Sequence, residues 1–340
     1  MSDIEFGLDT FGGLTRDANG DHLPHPQVIR DLVEDAVVAD QTGLDFFGVG
    51  EHHRPDFAVS SPEMVLSAIA GRTDRIRLGS TVTVLSSDDP VRVFERFATL
   101  DAVSNGRAEI VAGRGSFTES FPLFGYDLAD YDVLFEEKLA LLAQLLKEEP
   151  VTWQGSTRAG LTAQRVFPTT ADGLRAWVGV GGSPESVVRT ARYGFGLFLA
   201  IIGGPADRFS AYIDLFQRAQ DEFHVPHQPV AVHSPGLVAD TDAHARELVY
   251  EGWFAMRTKM GRERGWPPPS AGDFEREIES GALYVGSPET VAAKIAGTVR
   301  ALDVDRFDLK YDQPVQHADH LRSIELYGST VVPMVKDMLS

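Results

Sequence analysis

Short runs rich in Val, Ile, Leu and Phe recur eight times along this 340-residue chain, and most are followed by a stretch of helical periodicity. The runs are Ile4 to Phe11, Leu44 to Gly50, Ile76 to Val84, Ala108 to Gly113, Arg175 to Gly181, Phe195 to Ile202, Val230 to Val238 and Arg306 to Tyr311. Such near-continuous apolar runs read as parallel strands buried on both faces. Helices are expected over Pro26 to Thr42, Pro62 to Thr73, Pro90 to Ser104, Asp132 to Lys147, Pro184 to Tyr193 and Pro205 to Phe223. Proline opens most of them, where its missing N–H costs nothing and its fixed φ suits the first turn. An open doubly wound sheet would alternate in the same way. Because no run reads as a polar edge strand, closure into a (β/α)8 barrel is the better expectation. One domain over residues 1–340 suits that fold.

Two stretches interrupt the repeat. Residues 148–170 carry Val151-Thr152-Trp153 and Gln164-Arg165-Val166-Phe167 and read as a hairpin inserted before the fifth strand. A second insertion, before the eighth strand, is expected over 258–283 around Pro267-Pro268-Pro269. Insertions of this kind either cap the mouth of a barrel or lie outside it.

Composition removes several functions. Fifty acidic residues against 31 basic ones give a formal charge of −19. That surface repels nucleic acid and anionic membrane. With no cysteine in the chain there is no thiolate nucleophile, iron–sulfur cluster or Cys-based zinc site. Any redox chemistry therefore needs a cofactor. No apolar stretch approaches the ~18 residues of a membrane span. The first residues, Met1-Ser2-Asp3-Ile4-Glu5, lack a secretory pattern, so a cytoplasmic protein is expected.

In a barrel, chemistry gathers where strands end. Four ends are rich in polar residues or glycine: Gly50-Glu51-His52-His53, Gly79-Ser80-Thr81-Val82, Gly113-Arg114-Gly115-Ser116 and Gly179-Val180-Gly181-Gly182-Ser183. The run Gly182-Ser183-Pro184-Glu185-Ser186 has the form of a glycine turn, an N-cap serine and a helix begun by proline. Free N–H groups there suit an anion, and an ordinary capped helix looks the same. Gly286-Ser287-Pro288-Glu289-Thr290 repeats the pattern, so neither copy alone identifies a phosphate site. Arg114, between two glycines, suits a phosphate or an anionic ring, or equally a surface carboxylate. His52 and His53 point in opposite directions on extended chain, so only one can face the mouth. No dinucleotide fingerprint, phosphate-binding G-K-[ST] loop, H-E-x-x-H helix or G-x-S-x-G elbow occurs.

In order along the chain, Gly50-Glu51-His52-His53, Arg77-Leu78-Gly79-Ser80-Thr81-Val82, Pro90-Val91-Arg92, Leu100 to Arg107, Gly113-Arg114-Gly115 and Phe124-Gly125 resemble the bacterial luciferase-like family of flavin-dependent oxidoreductases. The resemblance implies a barrel with an inserted hairpin that uses FMN, supplied reduced by a separate flavin reductase, with molecular oxygen as second substrate. It also implies a homodimer. His52 would be the histidine beside the isoalloxazine that assists formation or protonation of a flavin peroxide. Thr81 and Val82 would form a non-prolyl cis peptide under the ring. Ser80, Arg114 and Ser116 would contact the cofactor, and Gly181, Gly182, Ser183 and Ser186 would hold its phosphate. Gly113 stands where luciferases carry a reactive cysteine, so light emission is not implied. A second arginine expected near the phosphate is replaced around Tyr131 and Asp132. Some members use a deazaflavin coenzyme instead.

The expected activity is FMN-dependent monooxygenation of a small or medium organic molecule. One rival is a divalent-metal hydrolase built on His52, His53, His233 and Asp9, although the first strand lacks the H-x-H such barrels carry. Another is a flavin-binding subunit without turnover.

Overall fold

The computed structural model describes residues 4–115 and 117–340. Its strands are β1 Glu5–Thr10, β2 Phe46–Val49, β3 Arg77–Ser80, β4 Thr83–Val84, β5 Ala108–Gly113, β6 Val151–Trp153, β7 Leu161–Gln164, β8 Arg175–Val180, β9 Gly196–Ala200, β10 Val230–Val238, β11 Tyr284–Gly286 and β12 Arg306–Lys310. All neighbours in the ring β1, β2, β3, β5, β8, β9, β10, β12 pair in parallel, and β12 pairs back onto β1. The barrel is closed, as the eight apolar runs predict. The run 76–84 is broken, however, with β3 and β4 flanking a cis peptide at Thr81-Val82. β4 continues the same wall by pairing with β5.

The helices are α1 His25–Gln41, α2 Pro62–Ala70, α3 Pro90–Ser104, α4 Ser120–Phe124, α5 Tyr131–Leu145, α6 Pro184–Arg192, α7 Ser210–Phe223, α8 Asp242–Arg264, α9 Ala271–Glu279, α10 Pro288–Leu302, α11 His317–Leu326 and α12 Val332–Leu339. Between α5 and β8 the chain forms the antiparallel pair β6–β7. Residues 258–283 comprise the end of α8, the proline run and α9. Phe274 and Ile278 of α9 pack with Leu237, Val249 and Val285 in a small core of their own.

Side chains alternate across the barrel wall with a period of two. Outward residues such as Phe6, Leu8, Phe47, Val49, Ile110, Val178, Leu199, Val232 and Leu309 join the helices in the main core. Inward residues form a separate cluster of Val111, Trp177, Phe198 and Ala231, with Val82 packed on it. Below that cluster lies a charged layer. Glu109, fully buried, accepts hydrogen bonds from Arg306 at 2.9 and 3.0 Å, Arg175 at 3.2 Å, Trp177 Nε1 at 2.9 Å, and also from Arg77. Arg306 lies over the rings of Phe46 and Trp177 and also binds Glu5. The strand starts are thereby plugged, and the cavity lies at the strand ends.

Burial alone would push the Glu109 carboxyl up, but the surrounding guanidinium groups, Arg306 foremost, hold it down at about 2. A carboxylate depressed below its ordinary 4.5 lends stability above that pH and loses it as pH falls toward 2. Glu109→Gln should therefore cost on the order of 3–5 kcal/mol at pH 7, because it leaves the buried Arg306 with only the partly exposed Glu5 to offset its charge. Urea unfolding should also show a shallower loss of stability between pH 4.5 and 2 than in the native chain.

Candidate active site

A cavity of about 300 Å3 opens at the C-terminal ends of the strands. Phe11, His52, Thr81, Val82, Arg114, Gly181, Ser186, Phe198 and His233 line it, with Tyr131 at one side. Its floor is the Thr81-Val82 peptide, and glycine is required beneath. A Cβ on Gly48 would come within 2.4 Å of Thr81, and one on Gly113 or Gly179 within 2.5 or 2.7 Å of Val82. The hydroxyl of Thr81 is buried, with no hydrogen-bond partner among the described residues.

The β2 end separates its two histidines as extended geometry requires. His53 Nε2 lies 2.9 Å from Glu51, whose other oxygen accepts from the Val84 N–H, so this pair braces the loop. His52 turns into the cavity, stacked on Phe57 at 4.4 Å and met edge-on by Phe11 at 4.6 Å and Phe117 at 5.2 Å. Its Nδ1 is 3.9 Å from the Glu119 carboxylate. Burial raises the pKa of Glu119, but contact with His52 and the charge of Arg54 more than offset it, so the group stays below the usual carboxylate range. The three rings fix the imidazole in place, with a carboxylate at the edge of the cage.

At the opposite side, Arg114 donates to Ser186 Oγ at 3.2 Å and to Asp132 at 3.2 Å, with its guanidinium 5.3 Å from the centre of the Tyr131 ring. Tyr131 in turn donates to the Gly115 carbonyl. Burial raises the Tyr131 phenol, partly countered by Arg114, so it stays a neutral hydrogen-bonding group. Ser183 caps α6 by accepting from the Ser186 N–H, and its hydroxyl donates to Glu185. Gly182 has φ of +111°, and its carbonyl accepts from Tyr212. Nothing stands within 4 Å of a Cβ built on Gly181, so the backbone there is open to a ligand.

Of the residues singled out from sequence, His52, Thr81, Val82, Arg114, Gly181 and Ser186 converge on the cavity, while Gly182 and Ser183 shape the turn behind it. Ser80 does not face the cavity. Strand alternation turns it into the wall, where its hydroxyl bonds the Val111 backbone. Ser116 lies outside the described residues. The second glycine-serine-proline turn is already occupied by an internal anion, since Asp242 accepts from the Ser287 N–H at 2.7 Å and from the Thr290 hydroxyl at 3.1 Å. Among the described residues no group of three or more His, Asp or Glu is arranged to hold a metal. None of the helices described is long and apolar enough to cross a membrane. Sequence reading left Phe11 and Phe198 out of the site and named Tyr131 only as the place of a replaced arginine, although Phe198 could have been found from its inward place on β9.

A second cavity of about 370 Å3 lies behind the His52 cage, between α8 and the loops after β1, β2 and β12. Phe57, Phe117, Leu14, Met256 and Met260 give it apolar walls. Its rim is charged but paired: Arg54 donates to Glu263 at 3.0 Å and Lys259 to Asp56, tying α8 to the β2 loop.

The family model described as luciferase-like monooxygenase matches residues 10–306. The 4-hydroxyprotoasukamycin monooxygenase of Streptomyces nodosus subsp. asukaensis is 31% identical over 255 residues, which is 70% of this chain and 67% of that protein. Among solved structures, the oxygenating constituent of 3,6-diketocamphane monooxygenase of Pseudomonas putida, in complex with FMN, superposes with a TM-score of 0.78. It shows 21% identity and covers 98% of each chain. The coenzyme F420-dependent tetrahydromethanopterin reductase of Methanopyrus kandleri superposes at 0.73 with 17% identity, covering 98% of this chain and 99% of that one. With a family model spanning most of its length and a barrel whose mouth carries the corresponding strand ends, this chain belongs to the luciferase-like monooxygenase family of flavin-dependent oxidoreductases.

Proposed function

We propose that the chain is an FMN-dependent monooxygenase that takes reduced FMN from a separate flavin reductase and uses molecular oxygen to oxidise a small or medium organic molecule. The observation that carries this reading is the convergence, in one cavity, of a glycine-supported platform, a caged histidine and an arginine–serine pair beside an open helix start. A planar ring with a phosphorylated tail fits those parts. Arg114 and Ser186 would hold the phosphate, with Gly181 allowing close backbone approach. The Thr81-Val82 peptide would lie under the ring, and His52 would stand beside it. When bound, reduced FMN supplies the two electrons and the site of oxygen activation.

The protein's own part is positioning, protons and dryness. His52 exchanges a proton at its ring nitrogen, with Glu119 near enough to stabilise the charged imidazole. Phe11, Phe57 and Phe117 keep water from that nitrogen. The outer cavity, apolar and with its rim charges mutually paired, would take a mainly uncharged organic substrate against the other side of the cage. A monooxygenase at 31% identity and an FMN complex on the same fold support the reading.

His52→Ala should leave FMN affinity within about threefold while lowering substrate oxidation on the order of 10²–10⁴-fold, as loss of a general acid–base does. Unchanged turnover would remove His52 from the chemistry. Arg114→Ala should weaken FMN about 10- to 100-fold, the scale of a charge-assisted hydrogen bond, with the melting temperature little changed. Anaerobic titration of the native chain with oxidised and reduced FMN tests the whole reading. Affinity for neither form would end it, and affinity for a deazaflavin coenzyme alone would move the chain to that branch of its family.

A further inference from the structure

Opposite the His52 cage, across β1 and β12, the cavity has a second histidine that the mechanism above leaves idle. His233 sits mid-strand on β10, facing inward, and lines the cavity while being only 4% exposed. Its ring meets Phe198 edge-on at 5.2 Å, and its Nδ1 is 2.9 Å from Asp9 Oδ2 on β1. A histidine that merely fills a core normally has both nitrogens satisfied by protein. Here no hydrogen bond from the described residues reaches Nε2. Asp9 is fully buried, and its second oxygen has no partner among the described residues. Beside His233 in the sheet register lies Asp308, fully buried, whose two carboxyl oxygens likewise find no partner among them. Burial, together with the neighbouring charges of Asp9 and Glu109, pushes the Asp308 carboxyl well above the usual range despite Arg306.

With Asp9 as a carboxylate, which can only accept, its 2.9 Å bond places a proton on Nδ1 of His233. In the neutral ring Nε2 is then an acceptor aimed into the cavity, and in the charged ring Asp9 stabilises the added proton. The oxidised isoalloxazine has one ring N–H; two-electron reduction with two protons adds two more, and with one proton adds one and leaves the ring an anion. An acceptor that can become a cation matches both reduced forms better than the oxidised one.

We propose that the Asp9–His233 pair is a second cofactor-contacting group of the cavity, fixed in its tautomer by Asp9, that makes the site prefer reduced over oxidised FMN. This rests on the FMN reading above and adds a redox preference to it. The test is anaerobic titration of both FMN forms into native protein, His233→Leu and Asp9→Asn. Asp9→Asn preserves shape but allows the amide to donate to Nδ1, moving the ring proton to Nε2. Both variants should lower the ratio of reduced to oxidised affinity by about tenfold, the scale of one well-made hydrogen bond. A purely structural role would weaken both forms equally. An unchanged ratio in either folded variant overturns the proposal while leaving the FMN reading intact, whereas native protein that binds neither form ends both. Should the variants not fold, ¹⁵N spectra of the native protein's histidines serve instead. A cavity nitrogen other than that of His52 must shift on adding reduced FMN more than on adding oxidised FMN, and its failure to do so rejects the pair.

Discussion

Arg306 and Glu109, both wholly buried at the start of their strands, set the terms for everything above them. A closed barrel of eight strands must fill its interior with side chains, and here the lowest layer is ionic. Such a layer adds little net stability over an apolar plug, because desolvation consumes most of the Coulombic gain. It does fix which residues meet, since each guanidinium has to find its carboxylate. With Phe46 and Trp177 packed on Arg306, the interior is solid up to the level of Val111 and Phe198. Above that level the glycines at 48, 113, 179 and 181 stand around the Thr81-Val82 platform and the open cavity over it.

The strands were legible because a parallel barrel buries both faces of each one, and the resulting apolar runs are hard to mistake. Six of the ten positions singled out from sequence line one cavity, since they stand at polar and glycine-rich strand ends that meet at the mouth of the barrel. Ser80 shows the limit of that logic. It neighbours Thr81 in sequence, yet the period of two sends its hydroxyl into the wall and toward Val111. His233 shows the converse: it lies inside an apolar run rather than at its end, and sequence reading gave it only to a metal site. Counting alternate residues from Ala231 would have placed it inside the barrel.

The twin glycine-serine-proline turns could not be separated by inspection, because their local chemistry is nearly the same. The difference comes from far along the chain. Asp242 supplies a carboxylate to the second turn, whereas the first faces an open backbone at Gly181 and the Arg114 guanidinium. Tertiary contacts thus decide which of two equivalent helix starts is free to receive an outside anion.

The outer cavity is roofed by α8, and that roof is fastened to the β2 loop through Arg54 with Glu263 and Lys259 with Asp56. These clasps are partly solvent-exposed, so each is worth a kilocalorie or so at most and fades as the ~8–10 Å screening length of ordinary buffers shortens. Rising salt therefore weakens the fastening of α8 over the chamber beside His52, while the apolar walls beneath are indifferent to it.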